Sequence, residues 1–543
     1  MKVLSAERGL RPIDQPLEVG VDEERVDAIF SHIDQCQLPG AAVGIAVRGR
    51  PVYRKGFGLA NMERPVVLSP ATRLRIGSTS KHLTCFAYML MCEEGKADID
   101  DPVGKFIPEL HPVAKGVTMR QLMANTSGLR DAYDIYFQFS GFGSPALTKQ
   151  LLELYCEIDD VNAAPGTTWS YNNGGWLLIT EVIERISGMS FEDVMRQKVF
   201  DAVGMYDTLV RRSDTDFTSN SGAQHATRAA GGFERRVWGL DNFVGAGAVV
   251  STVDDMLRWM ANMDTRYVGS MATWASMTTP QRLANGTATG YGLGLFLDQY
   301  QGVSTIYHAG NALGGSAQML KVPAAELDIV VLSNRQDIYA PGLADQVRDA
   351  CIPSMKGIDD SSKRVRTTGI YKSPTTGRVI RLFEKAGKQI ASIYGADFPV
   401  EPDDKGVLRC VNLWRDSKQT ITLVGDQAHP RAVLYNDFGD VDELQKAESA
   451  VAIPDTSGLV GTYRCGKMDA RATVFNTKDG LRMTTVGRFG TATHSLECLA
   501  KSVWQARQVG PMPFAATVAF QDDGSAFALS TWQMAPVNFC RCR

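Results

Sequence analysis

The fold class predicted for this chain is α+β, a mixed body of helices and strands followed by a tail of short strands, and three observations predict it. After Ser78, apolar residues recur at helical spacing (Leu83, Phe86, Ala87, Leu90) until Gly95. A second helical run covers 177–186, and 304–315 reads as a β-like segment that ends in glycines. Beyond Cys351 the pattern changes to short alternating apolar runs, which predict strands and turns.

The tail carries an internal echo. Gly369-Ile-Tyr-Lys and, 92 residues later, Gly461-Thr-Tyr-Arg each open a stretch the length of a small β-domain. Two copies are too few for a solenoid, so paired barrels are expected.

Composition limits the partners. At 543 residues the chain exceeds what one core serves, while 44% hydrophobic and 22% charged residues are ordinary globular usage. A net charge of −3 leaves no footprint for nucleic acid or an anionic membrane, and no apolar run is long enough to span a bilayer. Residues 1–10 lack the apolar stretch of a secretory signal, so a cytoplasmic protein is expected. The ten cysteines are scattered, which fits reduced thiols, and nothing near Cys540-Arg-Cys542 completes a zinc site. No metal or organic cofactor is expected. A G-x-S-x-G elbow and an H-E-x-x-H string are both missing, which argues against an α/β-hydrolase and a zinc peptidase.

Three short strings carry chemistry. In Ser78-Thr79-Ser80-Lys81 the lysine falls one helical turn from the serine and on the same face. A serine hydroxyl is a weak nucleophile until a neighbouring base takes its proton, so the spacing offers a nucleophile and its base. Tyr171-Asn172-Asn173 sits in a glycine-bracketed loop ahead of the second helical run. There a phenol can relay protons and an amide can orient a substrate carbonyl. His308-Ala309-Gly310 lies within the β-like segment, where Gly310 would let a backbone come close to a substrate.

Taken together, and in this order, the strings resemble those of the penicillin-recognising serine hydrolases, which include serine β-lactamases, D,D-carboxypeptidases, esterases and D-aminopeptidases. Further matches are Leu38-Pro-Gly-Ala-Ala-Val-Gly-Ile, Met119-Arg-Gln-Leu-Met-Ala-Asn-Thr-Ser-Gly-Leu, Gly245-Ala-Gly-Ala-Val-Val-Ser-Thr and Tyr291-Gly-Leu-Gly-Leu. The strand-rich tail makes the architecture similar to that of the three-domain D-aminopeptidases. This resemblance implies a β-lactamase/transpeptidase-like catalytic domain over 1–355, with an antiparallel sheet flanked by helices and an all-helical subdomain. It further implies a linker at 356–366, a β-barrel domain at 367–445, a second linker at 446–456 and a second β-barrel domain at 457–543.

The same resemblance implies a covalent acyl-enzyme on Ser78, with Lys81 and Tyr171 sharing the role of general base and His308 completing the catalytic set. Asn173 would orient the substrate amide, and the backbone N–H groups of Ser78 and Asn311, beside Gly310, would hold the oxyanion. His308 stands where many relatives carry lysine. A histidine is largely neutral at pH 7, so anchoring of a substrate carboxylate is weakened. The expected reaction is release of N-terminal D-amino acids, D-alanine-like, from small peptides, amides or esters. Alternatives are a carboxylesterase or weak β-lactamase of this fold, and a non-catalytic penicillin-binding-like sensor or scaffold. A homodimer is compatible with this reading.

One departure concerns the amine. In D-aminopeptidases a third-domain loop presents an acidic residue to the substrate, whereas the corresponding stretch here, 505–515, contains no carboxylate. It is expected to cap the cleft. Asp131 and Asp134 are candidate amine acceptors, the alternative being ordinary surface carboxylates.

Overall fold

The structure, a computed structural model, describes residues 17–141, 147–228, 230–235, 243–355, 366–393, 395–403, 405–410, 419–448, 455–509, 515–531 and 533–542. It divides into two compact units. The first comprises Met1–Lys96, Ser187–Thr279 and Gly290–Asp359, and the second Ala97–Ile186, Pro280–Thr289 and Asp360–Arg543.

The helices that matter below are α1 (Glu23–Phe30), α2 (Ser80–Glu93), α3 (Ala132–Ser140), α4 (Gly175–Ser187), α5 (Val253–Thr265) and α6 (Ala340–Cys351). In the first unit, six strands form one antiparallel sheet: β1 (Ala41–Val47), β2 (Arg50–Phe57), β3 (Phe296–Tyr300), β4 (Val303–Ala312), β5 (Gly315–Val322) and β6 (Leu327–Ser333). Their spatial order is β3-β4-β5-β6-β1-β2.

Strand β1 explains how the sheet is covered on both faces. Its Val43 and Ile45 join Ile329 and Val331 in a core with Val26 and Phe30 of α1 and Val347 of α6. Each such side chain, once fully buried, contributes ~1.5–3 kcal/mol. The alternate residues Ala42, Gly44 and Ala46 are small, and Val253 and Leu257 of α5 pack directly against Gly44. A strand buried on both faces thus reads as a nearly continuous apolar run.

The second unit contains α3 and two closed barrels of eight antiparallel strands each. One runs from Gly369–Lys372 to Asp440–Lys446, the other from Gly461–Cys465 to Val537–Arg541. Closure leaves no open sheet edge. The echo marks the opening strand of each barrel, and in both its tyrosine is fully buried with the hydroxyl donating to main-chain carbonyls. Tyr371 reaches Pro430 at 3.3 Å, and Tyr463 reaches Leu459 at 2.8 Å and Gly524 at 3.1 Å.

The stretch 505–515 differs from its expected form. Residues 505–508 complete the strand Val503–Gln508, Ala515 opens Ala515–Phe520, and Gln505 pairs with Thr517. Polar Gln505 and Gln508 hide this strand from a periodicity argument because both are buried within the second unit. Residues 510–514 of the expected cap, and most of the expected linkers (356–365 and 449–454), lie outside the described residues. Among the described residues, no helix is long and apolar enough to cross a membrane.

Candidate active site

In the first unit the chain passes from Leu74–Arg75 through a 3-10 turn, Gly77–Thr79, into α2. Ser78 therefore stands on that turn rather than in the helix proper, and it is partly exposed while Lys81 is fully buried. The one-turn spacing still brings them together: Lys81 Nζ lies 3.1 Å from Ser78 Oγ and donates to the Ala246 carbonyl at 2.9 Å.

Two glycines allow β4 to run against this turn. Gly77 has φ +53°, and a Cβ there would lie 2.5 Å from the Asn311 carbonyl oxygen. At Gly310 a Cβ would lie 1.8 Å from the Ile76 carbonyl oxygen, so any side chain would push the strand away. The close approach that Gly310 permits here is to Ile76, and the main chain of Asn311 is held beside the residues that carry Ser78. The Thr79 hydroxyl ties the same pair of elements by donating to the His308 carbonyl at 3.1 Å.

The 245–249 segment supplies a further brace. Thr84 Oγ1 donates to the Gly245 carbonyl at 2.8 Å, and the Val249 N–H donates to Ser80 Oγ at 3.2 Å. Ser80 Oγ in turn donates to the Gly77 carbonyl at 2.6 Å. Sequence reasoning assigned no role to Ala246, whose contribution is a main-chain carbonyl. The run of small residues Gly-Ala-Gly-Ala is the signal that marks such an approach.

His308 is 1% exposed. Burial, and then the nearby charge of Lys81, hold its pKa well below the usual imidazole value, so the ring is neutral at pH 7. Its Nδ1 is 2.6 Å from the Ala309 carbonyl and its Nε2 is 3.2 Å from the Tyr291 hydroxyl. A neutral ring has one N–H. With Nδ1 donating to Ala309, Nε2 accepts from Tyr291. Tyr291 thus orients His308, a role its place in Tyr-Gly-Leu-Gly-Leu did not reveal.

Tyr171 and Asn173 belong to the second unit, on the loop that leads into α4. Asn172 fixes that loop by donating from Nδ2 to the Leu129 carbonyl at 2.8 Å and accepting the Gly175 N–H at 2.8 Å. Asn125 supports it from below, its carbonyl accepting from Ser170 N–H at 2.9 Å. Asp131 does most. Its carboxylate accepts the N–H groups of Asn173 at 2.6 Å and Gly174 at 3.0 Å, and also that of Tyr133 at 2.9 Å as the N-cap of α3.

Neither aspartate is a surface carboxylate. Asp131 is 1% and Asp134 6% exposed, which overturns that alternative. Burial raises both pKa values, that of Asp134 to about 7. Asp131 is occupied by main-chain donors, and Asp134 accepts from the Thr531 hydroxyl. Both act within the protein in this arrangement. Sequence reasoning missed this because burial and the contacts with Asn173, Gly174 and Thr531 depend on residues far along the chain.

Chemically, the first unit pairs a hydroxyl with an amine in hydrogen-bond reach, which suits nucleophilic attack on an acyl carbon. The second presents a phenol and an amide on a braced loop.

The chain is 24% identical over 393 residues to a D-aminopeptidase of Brucella melitensis biotype 2, spanning 72% of this chain and 74% of that one. Its fold is similar to the octameric penicillin-binding protein homologue of Pyrococcus abyssi (TM-score 0.55, 20% identity, 78% of this chain and 100% of that one). It is also similar to the D-amino acid amidase of Ochrobactrum anthropi SV3 complexed with L-phenylalanine amide (TM-score 0.52, 20% identity, 61% of this chain and 99% of that one). The sequence model of the family described as Beta-lactamase matches residues 26–352, well over half the chain, and the protein therefore belongs to the beta-lactamase family.

Proposed function

We propose that the protein is a metal-independent serine hydrolase that forms an acyl-enzyme on Ser78 and releases N-terminal D-amino acids from small peptides, amides or esters. The observation that carries this reading is the 3.1 Å contact between Lys81 Nζ and Ser78 Oγ. It supports proton transfer from the hydroxyl to the unprotonated form of the amine as the oxygen attacks the acyl carbon. Tyr171 shares the proton, Asn173 orients the substrate amide, and the N–H groups of Ser78 and Asn311 receive the oxyanion, the Asn311 main chain lying against Gly77. That proton passes to the departing amine or alcohol as its bond to the acyl carbon breaks, and water then hydrolyses the ester to release the acid and free Ser78.

The choice among substrates rests on two supports. The neutral, buried His308 provides no cation for a substrate carboxylate, which disfavours carboxypeptidase and β-lactam chemistry. The likeness to a D-aminopeptidase and to the fold of a D-amino acid amidase favours amide substrates. The reading also includes a three-domain organisation (1–355, 367–445 and 457–543), a cytoplasmic location and self-association as a homodimer. The octameric Pyrococcus homologue supports self-association in this fold.

The test is a substrate panel of D- and L-alanine amides, short-chain esters and a chromogenic cephalosporin. The reading predicts the highest kcat/KM for the D-amide. A cephalosporin turned over faster than every amide would replace it with a β-lactamase.

A further inference from the structure

Helix α3 is buried along its whole length, all nine residues of it. A helix leaves its last carbonyls short of intrahelical donors, and here the second barrel adds side-chain donors, the Phe137 carbonyl also accepting the Gly141 N–H at 3.2 Å. Gln508 Nε2 donates to the Phe137 carbonyl at 3.0 Å, and Thr485 Oγ1 donates to the Gln138 carbonyl at 2.9 Å, with His494 Nε2 3.2 Å from the same oxygen. Phe139 meets Phe539 of the barrel interior with ring centroids 5.7 Å apart.

The other end of α3 is held by residues that follow the strand Ala526–Ser530. Thr531 Oγ1 donates to Asp134, Asn162 Nδ2 donates to the Gln533 carbonyl at 2.8 Å, and Arg130 Nη1 donates to the Ala535 carbonyl at 2.6 Å. From the same segment the side chain of Gln533 reaches the loop itself, its Nε2 donating to the Tyr171 carbonyl at 3.1 Å. Asp131, at the head of α3, grips the next two residues of that loop.

We propose that the second barrel positions the Tyr171–Asn173 loop for catalysis, with Gln533 as the positioning residue that fixes the main chain at Tyr171. This rests on the proposed catalytic role of Tyr171. The barrel grips one end of the rod α3, the other end grips the loop, and Gln533 closes the circuit. A phenol that must share a proton needs its main chain fixed to a fraction of an ångström, which one well-made hydrogen bond at its own carbonyl supplies.

A double-mutant cycle in the full-length chain tests this, with D-alanine amide as substrate. Gln533→Met keeps the side-chain volume but removes the amide donor. It should lower kcat about five- to tenfold with KM within about twofold and the melting temperature nearly unchanged. In a Tyr171→Phe background the same change should alter kcat by less than about twofold, because no phenol is left to position. Gln533→Ala should repeat this pattern and guards against an effect peculiar to methionine. If Tyr171→Phe alone keeps wild-type kcat, the catalytic reading fails and the positioning role with it. If Tyr171→Phe is crippled but Gln533→Met is not, or loses the same factor in both backgrounds, the positioning role alone is overturned.

Discussion

The two units hold their candidate catalytic side chains by different means. In the first, Ser78 and Lys81 are three residues apart and their geometry follows from one turn of backbone, with β4 and the 245–249 segment pressed against it. In the second, Tyr171 and Asn173 ride on a loop whose bracing comes from Asp131, 42 residues away from Asn173, and from Gln533, 362 residues away from Tyr171. Local geometry is set by the sequence neighbourhood. Distant bracing arrives only when the whole unit has folded.

The sharpest way to break the comparison is to remove the local pair. Ser78→Ala should abolish turnover of the best panel substrate, and Lys81→Ala should lower kcat about a hundredfold or more, with circular dichroism unchanged. Tyr171→Phe should cost a similar factor. Wild-type rates for Ser78→Ala would move the nucleophile elsewhere.

A smaller loss is expected at Asp131, because its carboxylate serves both the loop and the cap of α3. Asp131→Ala leaves buried N–H groups of Asn173 and Gly174 without their acceptor, and should destabilise the fold by about 2–4 kcal/mol in denaturant melts. An unchanged midpoint would mean that the loop does not depend on this carboxylate.

Asp134 gives the smallest effect and a pH signature. Burial is the main cause of its rise to about 7; the neighbouring charge of Asp131 adds to it, while Thr531, Gln138 and Arg130 oppose it. The unfolded chain releases this proton near pH 4, whereas the native state keeps it until about pH 7. The native state thus binds more protons across that window, and this group makes stability fall as pH rises from 4 to 7, with no further loss above. Asp134→Asn should remove that slope. The difference in stability between variant and wild type should shift in favour of the variant by about 3–4 kcal/mol from pH 4 to pH 8. A pH-independent difference would contradict the assigned shift.

Legibility in the sequence followed the same division. Ser78 and Lys81 could be read because an i, i+3 relation needs only a helical turn, and the barrels because Gly-x-Tyr opens both. The strings singled out His308, Gly310 and Tyr171, but for Gly310 they suggested a close approach to a substrate where the structure has one to Ile76. What the sequence could not convey were main-chain partners and long-range caps. Ala246 contributes a carbonyl, Tyr291 acts through His308, and the carbonyls of α3 are met by side chains 347 and 371 residues on. Polar residues looked like a surface loop at 505–508 and like surface acids at Asp131 and Asp134 because burial inside the second unit leaves no local periodicity.

Ser78 as the nucleophile of an acyl-enzyme is tested by reaction with a fluorophosphonate probe followed by peptide mass mapping. One adduct per chain is expected on the peptide that contains Ser78, and none on Ser78→Ala. A wild-type chain that takes up no probe, or carries it on another residue, would contradict it.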